Sequence, residues 1–229
     1  MKRAMGTSIL LVAILLIDRP LTMAAAQGPS AAAAQRFDLA ERLKATKLRA
    51  VNRSVAPLQG NPGGVHLTEA EGNGVAWLEG TDFVRGTIEV DVRGRDVQQR
   101  SFVGVSFHRQ DDNSYEAVYV RPFNFRNADI ARRQNAVQYI SLPDYDWPRL
   151  RKEFPSEFEN PVDASVAPTE WVPLRLVVTG SMIQIYVGKV ASPSLEVRKL
   201  GSLDHGAVGL WVGNNSDGDF ANLRLTPMK

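Results

Sequence analysis

The chain has no cysteine among its 229 residues. Disulfides and cysteine-ligated metals are therefore excluded, as is any anchor that needs an acylated cysteine, and an extracytoplasmic fold must rely on its core. Histidine is scarce: His66, His108 and His205 are scattered along the chain, which argues against a zinc centre built on imidazoles. Long apolar runs are scarce as well. The longest, Ile9 to Ile17, is well short of the about 20 residues a membrane-spanning helix needs. No phosphate-binding glycine loop, dinucleotide fingerprint, nucleophile elbow or metalloprotease helix occurs.

The apolar run follows Lys2 and Arg3 and precedes Ala24-Ala25-Ala26, the layout of a secretory signal peptide over residues 1–26, cleaved at Ala26/Gln27. The expected location is periplasmic or secreted, with no membrane anchor after cleavage. Removing residues 1–26 takes Lys2, Arg3 and Arg19 from the 27 basic residues and Asp18 from the 25 acidic ones, leaving 24 of each. A neutral mature chain offers no basic footprint for nucleic acid. Charge is segregated locally, however. From Arg121 to Lys152 seven basic residues face Asp129, Asp144 and Asp146, and Glu153 to Glu170 holds five acids and no base. Such runs are either solvated loops or, for the arginines, contacts to an anionic or hydroxyl-rich ligand.

Residues 27–47 divide into an Ala/Gln/Ser-rich lead-in expected to be disordered and a short helix capped by Asp38 and running to Lys44. From residue 48 to 229 the apolar period is two, with Gly, Pro, Asn and Asp between short segments. Twelve strands are expected: 48–51, 64–68, 74–78, 86–92, 102–109, 115–121, 136–141, 173–179, 182–187, 195–199, 207–213 and 220–225. The fold class is all-β, a two-sheet antiparallel sandwich, interrupted by one long loop excursion from Pro122 to Val172 that points to a functional segment.

Strand alternation places Val118 and Val120 in a core and Tyr115, Tyr119 and Arg121 on the opposite face. The same rule puts Glu89 and Asp91 opposite Ile88 and Val90, and His108 opposite Val103, Val105 and Phe107. If these three strands are neighbours, one surface combines carboxylates, a histidine, tyrosines and an arginine. Tyr115, Tyr119, Arg121, Asn124, Arg126, Gln138 and Trp147 are then candidate binding residues for a carbohydrate, with rings against C–H faces and charged groups bonding hydroxyls. Candidate catalytic residues are His108, Glu89 and Asp91. Glu89 and Asp91 do not complete the Glu-x-Asp-x-x-Glu spacing of a retaining glycosidase, because position 94 is Gly. The bland alternatives are a solvent-facing acid pair and a hydrogen-bonded structural histidine. Asn214-Asn-Ser-Asp-Gly-Asp219 is oxygen-rich, so calcium is conceivable, although Asn/Asp/Gly clusters form turns in their own right. No other cofactor is expected, and the oligomeric state is left open.

Several segments carry a resemblance: Asp82-Phe-Val-Arg-Gly-Thr-Ile-Glu-Val-Asp91, Phe102-Val-Gly-Val-Ser-Phe-His-Arg109, Tyr115 to Arg126, Gln138-Tyr139, Trp171 to Val178, Gly206-Ala-Val-Gly-Leu-Trp211 and Phe220-Ala-Asn-Leu223. Together they resemble the concanavalin A-like lectin/glucanase superfamily, in particular exported bacterial 3-keto-disaccharide hydrolases and laminin-G-like jelly rolls. The resemblance implies a jelly-roll fold over residues 48–227 and, for the hydrolase branch, removal of a proton beside a ketone. His108, Glu89 or Asp91 would be the base there, with Arg121 or Arg126 at the oxyanion. The lectin branch implies a non-catalytic glycan-binding or adhesion module, and a structural partner protein that uses the loop as an interface is a third possibility.

Overall fold

The computed structural model describes residues 33–228. The expected signal peptide lies outside the described residues. All twelve expected strands are present, together with three short ones. In chain order they are β1 (Gln35–Arg36), β2 (Leu48–Val51), β3 (Val55–Pro57), β4 (Val65–Leu67), β5 (Gly74–Leu78), β6 (Gly86–Arg93), β7 (Val103–Arg109), β8 (Tyr115–Val120), β9 (Val137–Leu142), β10 (Glu159–Asn160), β11 (Val172–Val178), β12 (Met182–Val187), β13 (Leu195–Arg198), β14 (Ala207–Val212) and β15 (Gly218–Pro227).

They form two antiparallel sheets. The first runs β13-β12-β11-β6-β15-β4-β3 with β1 added to β15, and the second runs β10-β9-β8-β7-β14-β5-β2. Between them lies the apolar core, to which β6 gives Ile88, Val90 and Val92 and β7 gives Val103, Val105 and Phe107. The two sheets differ on their outer faces. In β6 and β11 every second residue is half-buried, the ordinary pattern of a sheet with one wet face. In β8 every residue is buried, and in β5 likewise. Something covers the second sheet from outside.

Part of the covering comes from the segment 122–171, whose helix 147–153 lies against residues 137–142, and which is more regular than the sequence suggests. It contains a 3-10 turn (Pro122–Asn124), α2 (Ile130–Arg133), β9, α3 (Trp147–Glu153) and β10, which pairs with β9. Helix α3 starts where Asp146 accepts a hydrogen bond from the Arg149 N–H at 2.9 Å, with proline in the first turn, as capping and the missing proline donor favour. The charge runs of this stretch largely answer one another: Arg149 pairs with Glu153 at 3.0 Å and Arg151 with Glu159 at 2.6 Å.

Helix α1 (Leu39–Lys44) forms as expected, its Asp38 cap accepting from the Glu41 N–H at 2.9 Å. The lead-in expectation needs correction for residues 35–36. They are strand β1, opposite Leu225 and Arg224 of β15, and Phe37 and Leu39 enter the core. Ordering follows because two edge hydrogen-bonding positions of β15 are filled while two large apolar side chains leave water.

Candidate ligand cleft

On the outer face of the second sheet the register aligns Gln138, Tyr119, Gly104 and Trp211 across β9, β8, β7 and β14. Gly104 is the low point of that row. A Cβ there would meet the Val118 carbonyl oxygen at 2.1 Å and Tyr119 Cα at 2.5 Å. Without it, the rings of Tyr119 and Trp211 stack over the intervening strand, with centroids 4.6 Å apart. Trp211 Nε1 donates to the Tyr115 hydroxyl at 3.2 Å, and Tyr115 meets Trp77 edge-on at 5.3 Å. Phe102 continues the aromatic floor, 6.1 Å from Tyr119 and 5.5 Å from Phe123. Such offset and edge contacts suit the ring quadrupoles.

Above this floor is a cleft of about 400 Å³. Its aromatic walls are Phe102, Tyr119, Phe123, Trp147 and Trp211, its guanidinium groups those of Arg121, Arg132 and Arg151, and its amides include Gln98, Gln99, Asn124 and Asn135. Of the expected binding residues, Tyr119, Arg121, Asn124 and Trp147 meet here. Gln138 stands behind Arg121 and accepts from Nη2 at 2.8 Å. Two expectations are corrected. Tyr115 is buried under Trp211 and does not line the cleft. Arg126 is held away by the Ala164 and Ser165 carbonyls at 3.0 and 2.9 Å; free guanidinium N–H groups bind unpaired loop carbonyls readily, which accounts for its turn outward.

Arg121 is 5% exposed. It donates to the Asn135 carbonyl at 2.8 Å, to the Tyr119 hydroxyl at 3.0 Å and to Gln138, and lies over the Tyr119 ring at 5.0 Å. Its nearest counter-charge is Glu159, 3.8 Å away and itself buried. Glu159 is engaged more closely by Arg151, at 2.9 and 2.6 Å, a hydrogen bond that raises the Arg151 pKa. With its amide turned nitrogen-inward, Asn135 donates to both Glu159 oxygens at 2.9 and 3.0 Å. Arg151 also covers one face of the Trp147 ring at 5.0 Å, and Trp147 remains 47% exposed. Burial pushes the Tyr119 hydroxyl pKa up, so at neutral pH it remains a protonated donor. Asn124 Oδ1, buried in the wall, receives no hydrogen bond, an arrangement that costs about 1–3 kcal/mol until a donor arrives.

The expected catalytic trio is not brought together. Glu89 and Asp91 belong to β6, which pairs with β11 and β15 in the first sheet, so they face away from the cleft. Glu89 lies 3.4 Å from Arg224, and Asp91 accepts from Asn222 at 2.7 Å. His108 is in the second sheet but fully buried. Its backbone has φ 54, beside a register shift in β14 between Ala207 and Gly209, and the break in alternation carries the ring to the core side. There Nδ1 meets Glu116 Oε2 at 2.5 Å and Nε2 donates to the Val84 carbonyl at 2.9 Å. The other Glu116 oxygen accepts from Tyr139 at 2.5 Å, and Lys199 Nζ lies 3.5 Å from the carboxylate. The premise that one surface holds all three residues fails because sequence-adjacent strands β6 and β7 lie in opposite sheets.

The oxygen-rich turn 214–219 directs its acids at basic side chains. Asp219 meets Arg93 and His66 at 2.7 Å each, and Asp217 lies 2.7 Å from Arg95. Among the described residues no cluster of three or more His, Asp or Glu could hold a metal ion.

Trp211, Phe102, Arg132, Arg151 and Asn135 line the cleft without having been singled out as binding residues. Trp211 sits in a segment whose residues are nearly all apolar, so alternation gives no warning that its ring faces outward. Arg132 and Arg151 were visible only as part of a charge run.

No protein-family model and no curated protein sequence matches the chain. Solved structures do. The carbohydrate binding module CBM66 from Bacillus subtilis aligns at TM-score 0.56 and 14% identity over 78% of this chain and 95% of that one. A Bacillus subtilis protein of unknown function with a galectin-like fold aligns at TM-score 0.56 and 13% identity, covering 86% and 97%. The exoplasmic/lumenal domain of VIP36, in a form bound to Ca2+ and Man3GlcNAc, aligns at TM-score 0.52 and 11% identity, covering 80% and 84%. The likeness is one of fold: this chain, like them, is a two-sheet antiparallel jelly-roll sandwich.

Proposed function

We propose that this protein binds a carbohydrate in the cleft above Tyr119 and Trp211, as an exported glycan-binding module. The observation that carries this reading is the composition of the lining. Five aromatic rings are interleaved with guanidinium and amide groups, and no carboxylate and no histidine is among them. Rings take the C–H faces of a pyranose or furanose, and planar donors take its hydroxyls in pairs. Trp147 supplies the exposed platform, Arg121 and Asn124 the fixed polar edge, and the stacked pair Tyr119–Trp211 a floor that loses little entropy when a ligand arrives. The resemblance to carbohydrate-binding structures agrees with this, although fold alone does not carry function.

Glycoside cleavage is the weaker reading, because both of its usual routes need an acid or base within hydrogen-bond reach of the scissile group. Glu89, Asp91 and His108 stand elsewhere, and the buried Glu159 is occupied by Arg151 and Asn135. The test is a glycan panel titrated against the purified chain by calorimetry, with released reducing sugar followed in parallel. We expect saturable binding without release, weakened roughly tenfold, or about 1.4 kcal/mol, by Trp147→Ala with no change in melting temperature. Release of product would restore the enzyme reading, and absence of binding across the panel would remove the proposal.

A further inference from the structure

We infer that the saccharide bound here carries an anionic substituent, a carboxylate or a sulfate ester, seated against Arg132 and Arg151. This rests on the carbohydrate reading above and adds the class of sugar.

The argument is a charge imbalance in a partly enclosed space. Arg121, Arg132 and Arg151 line the cleft. Two of them, Arg121 and Arg151, share the single carboxylate Glu159, and Arg121 otherwise donates to neutral oxygens. A guanidinium pair set against one carboxylate, with Arg121 buried and Arg151 half-buried, leaves a positive charge that a bound anion would relieve. The neighbouring acids are turned to other tasks: Asp146 accepts from the Arg149 N–H at the start of α3, and Asp129 accepts from the Ala131 N–H at the start of α2. Neither lines the cleft.

Arg132 sits at the mouth and is exposed. Its one ion pair, among the described residues, is to Asp129 at 3.5 Å through Nε, an exposed contact of small value that leaves the terminal N–H groups available. Arg151 has the complementary property of being fixed. Glu159 holds two of its nitrogens, while its plane lies over Trp147. A saccharide in the cleft therefore meets a guanidinium that is already positioned. Neutral sugars use the aromatic rings and single N–H donors but gain little from a wall with net positive charge, whereas carboxylate and sulfate oxygens match the guanidinium fork.

The test compares matched trisaccharides by calorimetry with the purified chain: galactotriose, galacturonate trimer, its methyl ester, and a sulfated galactotriose. At low salt an anionic form should bind about tenfold more tightly than its neutral counterpart, with an advantage that shrinks as sodium chloride is raised. Arg132→Gln should reduce that advantage, weakening anionic binding more than neutral binding, and Arg151→Lys should keep more of it than Arg151→Gln. The anion that wins, carboxylate or sulfate, identifies the substituent. Equal binding of neutral and anionic forms, or a preference unaffected by Arg132→Gln, overturns the inference while leaving the carbohydrate reading in place. Failure of all four trisaccharides and of the wider glycan panel removes both.

Discussion

Replacing Glu116 by glutamine should be far more damaging than its conservative shape suggests. Glu116 is fully buried between the sheets, accepts from Tyr139 at 2.5 Å and meets His108 Nδ1 at 2.5 Å, with Lys199 Nζ 3.5 Å away. Lys199 also donates to the Leu203 carbonyl at 2.7 Å, and the Leu200 N–H donates to Tyr139. One carboxylate thus ties β7, β8 and β9 to the chain that leaves β13, joining the two sheets at one end. In Glu116→Gln the lysine loses its counter-charge and an amide N–H2 turns toward groups that are themselves donors. Breaking a buried pair from one side costs about 3–5 kcal/mol, a large part of the about 5–15 kcal/mol that holds an ordinary domain together. Urea unfolding followed by tryptophan fluorescence should show a midpoint lowered accordingly with an unchanged slope. Lys199→Met should be less harmful in the Glu116→Gln background than alone, giving a coupling of about 1–3 kcal/mol. A loss below about 1 kcal/mol, or additive effects, would refute the picture of a charge-matched tie between the sheets.

Three further outcomes follow from the same structure. Gly104→Ala should destabilise by about 3 kcal/mol or more, since its Cβ would lie 2.1 Å from the Val118 oxygen, and the native protein that remains should bind saccharide poorly; near-wild-type melting would contradict the close approach of Tyr119 and Trp211. Burial raises the pKa of Tyr139 far beyond its ordinary value of 10.0 and those of Tyr115 and Tyr119 above it. The unfolded chain therefore releases these protons first, and stability should be intact below pH 10 and fall above it, by about 1.4 kcal/mol from Tyr139 alone at pH 11; flat stability from pH 9 to 11 would count against it. Trp211→Leu should remove the Tyr119 stack and the Tyr115 hydrogen bond together, costing about 2–4 kcal/mol by urea unfolding, whereas Trp147→Ala should change stability by under about 1 kcal/mol.

Much of the sandwich was legible because its strands are short, β-rich and punctuated. Parity within β8 was legible too: Tyr115 and Tyr119 do oppose Val118 and Val120. Partnership between strands was not. Residues 86–93 and 103–109 follow each other in sequence, and nothing in their composition says that the connection passes from one sheet to the other. His108 adds a second obstacle, because a single left-handed residue and a bulge in the neighbouring strand invert a face that alternation assigns. The site was half legible. Arg121, Asn124 and Arg126 stand out as polar residues at a strand end with no packing reason to be there, although Arg126 turns out to bind loop carbonyls; Trp147 reads equally as a platform or a loop anchor, and Trp211 is hidden in an apolar strand. Arg132 and Arg151 acquire meaning only when the fold sets them around the same space.

The pairing of β1 with β15 has a practical consequence. Gln35 lies opposite Leu225, so the first and last described residues leave neighbouring strands of the sheet that does not carry the cleft. A short bridge between those ends would close the domain into a ring, and the chain could be reopened at the exposed turn after Gly188. A circularly permuted chain of that kind, or one tethered to a surface through either end, would keep the cleft directed outward.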